Sequence, residues 1–402
     1  MIHIWDETLR DGEQTPGVIL VKEEKVELAK ALDDIGVSLV VCGFPINCEI
    51  EAEIIRTIAR EGLTAKTGAV ARGIKKDVDE CLRCETDEIV IFIPSSDIHI
   101  AHKLGKTREE VLEMIQDTVQ YASDHVTTNF VAEDATRSDL DFLISCFKTA
   151  VESGASKVVI ADTVGTMYPP RMKSLVEQVK SQVSVPISVH CHNDLGLATA
   201  NTLAAVEGGA TYPQVTINGY GERAGNAPLD EVVMGIESLL DLRTGIKIED
   251  LYELSRLAEK YIMIPIHQQK PLVGEKAFSH EAGIHVHGLL KDRKTYEAID
   301  PHVLGRETHF IIGKHTGDAL MESKLKELGY PSDKKIRRRI LNVIIGYLEI
   351  HKSDRVEQFQ LAKRNIENLT RGMTDKELKK VIQFIENIDI MGQLTGNQQE
   401  NL

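Results

Sequence analysis

Two histidines separated by one residue, His190-Cys191-His192, are the sharpest chemical signal in the chain. On an extended backbone, residues i and i+2 face the same side, so both imidazoles would aim at one point. A carboxylate from another strand end completes a two-histidine, one-carboxylate set that holds a divalent cation and leaves coordination positions open. Asp11, which follows the first extended run, is the best third ligand. Taken alone, the spacing also describes two structural histidines. The polar Asn193-Asp194-Leu195-Gly196 that follows, and a second dense loop further on, weigh toward ligands. That second loop is Gly219-Tyr220-Gly221-Glu222-Arg223-Ala224-Gly225-Asn226. Its glycines permit tight turns and close backbone approach to a ligand. Glu222, Arg223 and Asn226 add an acid or base, a cation and a neutral ligand, although a glycine-rich connection with solvated charges would look the same. A third cluster lies at residues 7–17, where Arg10 stands beside Asp11. A planar, permanently charged guanidinium there suits an oxygen that gains negative charge, as in an enolate or alkoxide.

Such side chains need a frame that gathers strand ends. Short apolar runs at 2–5, 38–42, 66–71, 88–93, 128–132, 157–161, 186–190 and 213–217 read as strands. Between and after them, apolar residues at three- and four-residue spacing predict helices near 22–35, 48–61, 74–84, 107–124, 138–153, 170–182, 197–208 and 229–241. Eight strands alternating with eight helices is the count of a (β/α)8 TIM barrel; a doubly wound open sheet is the rival. In a barrel the chemistry gathers where strands end. The unusual polar residues do fall there: Arg10 and Asp11, Arg72, Glu133 and Asp134, Asp162 and Thr163, His190 and His192, Glu222 and Asn226. The N-terminal strand ends are expected to carry no such set. The organisation expected is a catalytic barrel over 1–260, a connecting subdomain over 261–317, a helical C-terminal subdomain over 318–390 and a polar, disordered tail over 391–402. The basic run Lys334-Lys335-Ile336-Arg337-Arg338-Arg339 reads as a solvated helix face, with ligand phosphates as the other reading.

The 402 residues are 42% hydrophobic and 27% charged, which suits a folded chain with a sizeable core. Lys and Arg number 47 against 62 Asp and Glu, a formal charge of −15. That balance argues against a nucleic-acid or anionic-membrane binder. An anionic substrate must then be drawn by a local cluster or a metal. The six cysteines show no secretory framework, and neither a signal peptide nor a membrane span is expected, so a reducing, cytoplasmic setting is the default. Cys81-Leu-Arg-Cys84 reads as two small residues one helical turn apart, since no second pair completes a zinc site.

Five segments carry a family resemblance. Thr8-Leu-Arg-Asp-Gly-Glu-Gln14, His190-Cys-His-Asn-Asp194 with Gly196-Leu-Ala-Thr-Ala-Asn201, and Asn218-Gly-Tyr-Gly-Glu-Arg-Ala-Gly-Asn226 lie in the barrel. His280-Glu-Ala-Gly-Ile-His285 with Tyr296, and Gly313-Lys-His-Thr-Gly317, lie beyond it. Over about residues 2–330 the chain resembles the DRE-TIM metallolyase superfamily, in its acetyl-CoA-dependent Claisen-condensing branch: homocitrate, isopropylmalate and citramalate synthases. The resemblance implies Asp11, His190 and His192 as ligands of a divalent metal ion (Mg, Mn or Zn), with Asn226 close by. It implies Arg10 as the group that stabilises oxygen charge, and Thr163 as the holder of a 2-oxo acid's carboxylate. Glu222 and His285 would form the base system for acetyl-CoA, the co-substrate, with Tyr296 assisting. In that branch the last two reach in from a partner, so a homodimer is expected. Gln14, Arg72, His99 and Arg137 complete the expected substrate-binding set; His99 could line the pocket or merely cap its loop. Arg137 matches a position that homocitrate synthases use for the far carboxylate of 2-oxoglutarate, but synthases with neutral substrates carry a similar Arg.

The chain departs from the branch at Val41, where an acid usually precedes a small residue and Gly-Phe-Pro. One fewer negative charge in the pocket wall would admit a more anionic 2-oxo acid. The sequence after the helical segment is too short for a leucine-sensing domain, so no leucine feedback of that type is expected. The lead expectation is homocitrate formation from 2-oxoglutarate. Isopropylmalate, citramalate or phosphonomethylmalate synthesis are the near alternatives. A hydroxymethylglutaryl-CoA-type lyase is more distant, because residues 218–228 lack that branch's cysteine.

Overall fold

The computed structural model describes residues 1–396, with side chains through Ile385. Eight parallel strands close into a barrel: β1 Trp5–Asp6, β2 Leu39–Gly43, β3 Lys66–Arg72, β4 Glu88–Pro94, β5 Thr127–Glu133, β6 Lys157–Asp162, β7 Ile187–Cys191 and β8 Tyr212–Val215. Closure is made by Trp5 opposite Gln214 and Asp6 opposite Val215. An open sheet is therefore excluded. Each strand is followed by the helix its apolar spacing predicts, from Lys22–Asp34 through Leu229–Ser238. Local chemistry starts these helices. Thr107 and Glu110 form a reciprocal box at the head of Arg108–Ser123, each side chain accepting the other's backbone N–H. Asp139 accepts from Phe142 N at the head of Leu140–Glu152.

Strand alternation divides the core in two. Outward residues such as Val40, Cys42, Ala69 and Ala71 pack under the helices. Inward residues Trp5, Leu39, Val41, Val70, Val90 and Val159 fill the barrel. The same parity puts Glu88, Asn129 and Lys157 inside the N-terminal end. There Lys157 Nζ lies 2.8 and 2.9 Å from the Glu88 carboxylate oxygens, and Asn129 Nδ2 donates to Glu88 at 2.6 Å. The N-terminal strand ends thus do carry a polar set, contrary to the sequence expectation. Its groups satisfy one another, as a structural plug requires.

Leu251–Ile262 is one more helix, and its Leu251, Leu254, Ala258 and Ile262 join the barrel core. Residues 263–317 hold short pieces: a two-stranded parallel sheet, Ser279–His280 with His309–Phe310, and the helix Gly283–Leu289. Arg306 pins this region by donating to the carbonyls of Leu272 (2.6 Å) and Gly274 (2.8 Å). Helices Asp318–Glu327, Lys334–Ile350, Lys352–Leu369 and Asp375–Gly396 follow. Within the basic run, Arg337 is buried on Asp318 at 2.6 and 2.7 Å. Helix continues to Gly396 where the sequence reading has a disordered tail from 391; the rest of that tail lies outside the described residues. Among the described residues no helix is long and apolar enough to cross a membrane.

Candidate active site

The C-terminal mouth of the barrel holds a cavity of about 240 Å³. Its lining includes Arg10, Asp11, Gln14, Thr163, His190, His192 and Glu222. Inward parity places His190 there at the end of β7 and His192 just past it, and both are buried. Asp11 Oδ2 lies 3.2 Å from His190 Nε2 and 3.7 Å from His192 Nε2. One ligand atom from each of the three falls within 4.8 Å of the others, and all three residues are buried.

Hydrogen bonds fix which nitrogen is free. Gln214 donates to Ser188 Oγ at 3.1 Å, so its Oε1, 2.9 Å from His190 Nδ1, accepts that ring's proton. Nδ1 being so engaged, Nε2 is the His190 nitrogen that would turn to a cation; it lies 3.2 Å from His192 Nε2. Burial, then the neighbouring His190, push the His192 imidazole down to about 3, so it is neutral. Burial opposes ionisation of Asp11, but Arg10 and His190 overcome it and hold the carboxyl well below its usual range. A neutral His192, the Nε2 of His190 and an ionised Asp11 carboxylate converge here, the donor set that a divalent cation takes. The buried Asn226 Oδ1 and His192 Nδ1 have no protein partner. A Cβ added at Gly221 would lie 2.2 Å from Asn226 Nδ2 and 3.1 Å from Asp11 Oδ1, so glycine lets both side chains close in. These residues fit a metal centre.

Arg10 Nε donates to Glu7 at 2.7 Å and its Nη1 to Asp11 at 3.1 Å, which aims a charged fork at the cavity. Glu222 lines the wall, and its backbone N–H donates to Asp11 Oδ1 at 3.3 Å. Thr163 Oγ1 accepts from Asp134 N at 2.9 Å. Three expected substrate contacts stand outside the lining. Arg72 turns to Asp77 at 2.6 and 3.0 Å. Arg137 is held by Asp134 at 2.8 and 3.0 Å. His99 caps onto Ser96 Oγ through its N–H and sits 3.7 Å from Glu133 and from Asp134. His285 and Tyr296 do not line the cavity; they stack on each other at 4.2 Å, exposed, on the connecting region. Sequence reasoning missed Gln214, whose signal is a lone amide on an inward strand position. It also missed the apolar wall of Phe44, Val70, Val90, Phe92 and Val131.

Fold and site together define a (β/α)8 barrel protein with a candidate metal centre at its C-terminal mouth. The HMGL-like family model matches residues 1–258, and a second model, "Homocitrate synthase post-HMGL domain-like", matches 272–352. The chain belongs to the HMGL-like family, and within it to the Claisen-condensing branch of the DRE-TIM metallolyases that its motifs resemble. It is 44% identical over 402 residues to the 2-isopropylmalate synthase of Methanocaldococcus jannaschii, covering 99% of this chain and 76% of that protein. The homocitrate synthase AksA of Methanopyrus kandleri is 46% identical over 342 residues, 85% of this chain and 86% of its own. The (R)-citramalate synthase CimA of M. jannaschii is 46% identical over 330 residues, 82% of this chain and 67% of its own.

Proposed function

We propose that the chain is an acyltransferase that joins the methyl carbon of acetyl-CoA to the carbonyl carbon of a 2-oxo acid and then releases CoA by hydrolysis. The observation that carries this reading is the buried trio Asp11, His190 and His192, whose ligand atoms lie within 4.8 Å of one another in the cavity that Arg10 and Thr163 also line. A divalent cation held there, with Asn226 beside it, supplies Lewis-acid polarisation of the 2-oxo acid's carbonyl. Arg10 keeps a fixed positive charge at the oxygen that gains charge as the carbon–carbon bond forms. Thr163 donates a hydrogen bond from its hydroxyl to the substrate carboxylate. Glu222, with the partner subunit's His285 and the partner's Tyr296, takes a proton from the acetyl methyl group. The carbon so exposed attacks the carbonyl carbon, the former ketone oxygen gains a proton, and water cleaves the thioester to carboxylate and thiol. The homodimer in this reading is supported by the exposed stack of His285 on Tyr296, away from the cavity of its own chain.

Two readings of the 2-oxo acid stand. A neutral aliphatic side chain, giving 2-isopropylmalate or citramalate, suits the wall of Phe44, Val70, Val90, Phe92 and Val131. Val41, buried with Val70 and Val90, keeps that wall apolar from beneath. The lining cations Arg10 and Arg223 are already engaged by carboxylates, which leaves little to receive a second acid group. 2-Oxoglutarate, giving homocitrate, is the second reading; Arg137 beside His99 is the cation it would recruit, at the cost of its pair with Asp134. Thiol release from acetyl-CoA decides between them, followed against pyruvate, 2-oxoisovalerate and 2-oxoglutarate. The wall predicts the highest kcat/KM with an aliphatic acid; preference for 2-oxoglutarate would select the second reading, and release with none would refute the class.

A further inference from the structure

Arg223 has a left-handed backbone, φ +58°, a conformation that side chains other than glycine's adopt under strain. Its neighbours Gly221 and Gly225 also have positive φ, so the loop's path alone would favour glycine at 223 as well. What the side chain holds is therefore of interest. Its Nε and Nη2 each donate to one carboxylate oxygen of Asp194 at 2.8 Å, and Nη2 also donates to the carbonyl oxygen of Thr163 at 2.7 Å. Asp194 lies in the loop after β7, Thr163 follows β6, and Arg223 itself follows β8. One guanidinium thus ties together the three loops that carry Thr163, His192 and Glu222. The first two loops are already in close approach: a Cβ at Gly165 would lie 2.6 Å from Asp194 Oδ2 and 2.8 Å from Asp194 N.

Thr163 is consequently gripped from two sides. Arg223 takes its carbonyl, and Asp134 N–H occupies one lone pair of its hydroxyl. Among the described residues none accepts the hydroxyl's proton, so it remains available to an acceptor in the cavity that Thr163 and Arg223 both line. An exposed ion pair contributes little by itself; a planar fork that satisfies three acceptors on two loops fixes geometry, which a lysine's point charge cannot do.

We propose that Arg223 is a positioning residue that sets the affinity of the site for the 2-oxo acid by locking Thr163 toward the substrate carboxylate. The proposal rests on the function proposed above. Arg223→Gly removes the fork and the backbone strain together, so the variant is expected to keep the parent's Tm. Its KM for the 2-oxo acid should rise about tenfold or more, the effect of losing a charge-assisted contact, with the KM for acetyl-CoA unchanged. Arg223→Lys should fail to restore the lost affinity, and the effects of Arg223→Gly and Thr163→Val should be strongly non-additive. Amide hydrogen exchange over residues 163–167 and 193–196 should quicken in Arg223→Gly, a readout independent of turnover. Parental KM with parental exchange would overturn the proposal, as would a parallel rise of both KM values with a fall in Tm. If the parent releases thiol with no 2-oxo acid, the functional reading falls, while the exchange data still decide whether the clamp exists.

Discussion

At the scale of single residues, the telling contact is the close approach of His190 Nε2 and His192 Nε2, 3.2 Å apart beside the buried Asp11 carboxylate. Gln214 orients the His190 ring by accepting a hydrogen bond from its Nδ1. Gln214→Leu should therefore weaken divalent-metal affinity about 10- to 100-fold, the usual cost of removing a ligand's outer partner, as read by metal titration of the chelator-stripped protein. Asp6 offers a test of a different kind. Burial, against hydrogen bonds from Thr8, lifts its carboxyl from 3.8 to about 7. Between about pH 4 and 7 the native chain then holds a proton that the unfolded chain has lost, so this group makes stability fall as pH rises through that window. Asp6→Asn, whose amide can keep both bonds to Thr8, should flatten the pH dependence of the denaturation midpoint over that range; an unaltered slope would contradict it. The convergence of Asp11, His190 and His192, a candidate metal set, was legible in the sequence because parity and strand-end position bring the three together. Gln214 was not, because an amide on a strand announces no chemistry until the histidine beside it is known. Arg72 and Arg137 sit near the mouth as expected, but an acid five residues onward from the first and one three before the second claim their guanidinium groups.

At the scale of elements, the barrel separates function from stability along its axis. The ion pair of Lys157 with Glu88 plugs the end opposite the cavity. Lys157→Met should cost about 3–5 kcal/mol by stranding a buried carboxylate, and pairing it with Glu88→Leu should recover much of that loss. KM values should stay at the parent's in both variants, measured beside denaturant unfolding; changed KM values would show that the two ends are coupled. Strands and helices were legible to within a few residues because each obeys one period. The first strand was read as 2–5 yet pairs only at Trp5–Asp6, since Ile2 and His3 bond instead to the loop carbonyls of Arg243 and Thr211. Helix Leu251–Ile262 was legible and overlooked: its buried Leu251, Leu254, Ala258 and Ile262 keep helical spacing. Residues 263–317 could not be read, because their shape comes from distant contacts. A Cβ at Gly283, for instance, would lie 2.6 Å from the Cα of Gly317.

At the scale of the whole molecule, a barrel that carries the candidate metal set is followed by an extension whose His285 and Tyr296 face outward. Beyond them, Tyr347, Ile350, Phe359 and Phe384 are exposed along the last helices. If each cavity is completed by a second copy, Asp11→Ala and His285→Ala proteins, each inactive alone, should regain activity when unfolded and refolded together. No regain would place the base system within one chain. The central claim, a cation-dependent condensation at Asp11, His190 and His192, is tested most directly by following thiol release from acetyl-CoA with an accepted 2-oxo acid, before and after removal of divalent ions by a chelator. Release should fall to background and return when Mg, Mn or Zn is resupplied, in the parent but not in His192→Ala. A stripped protein that still turns over at the full rate would contradict the account.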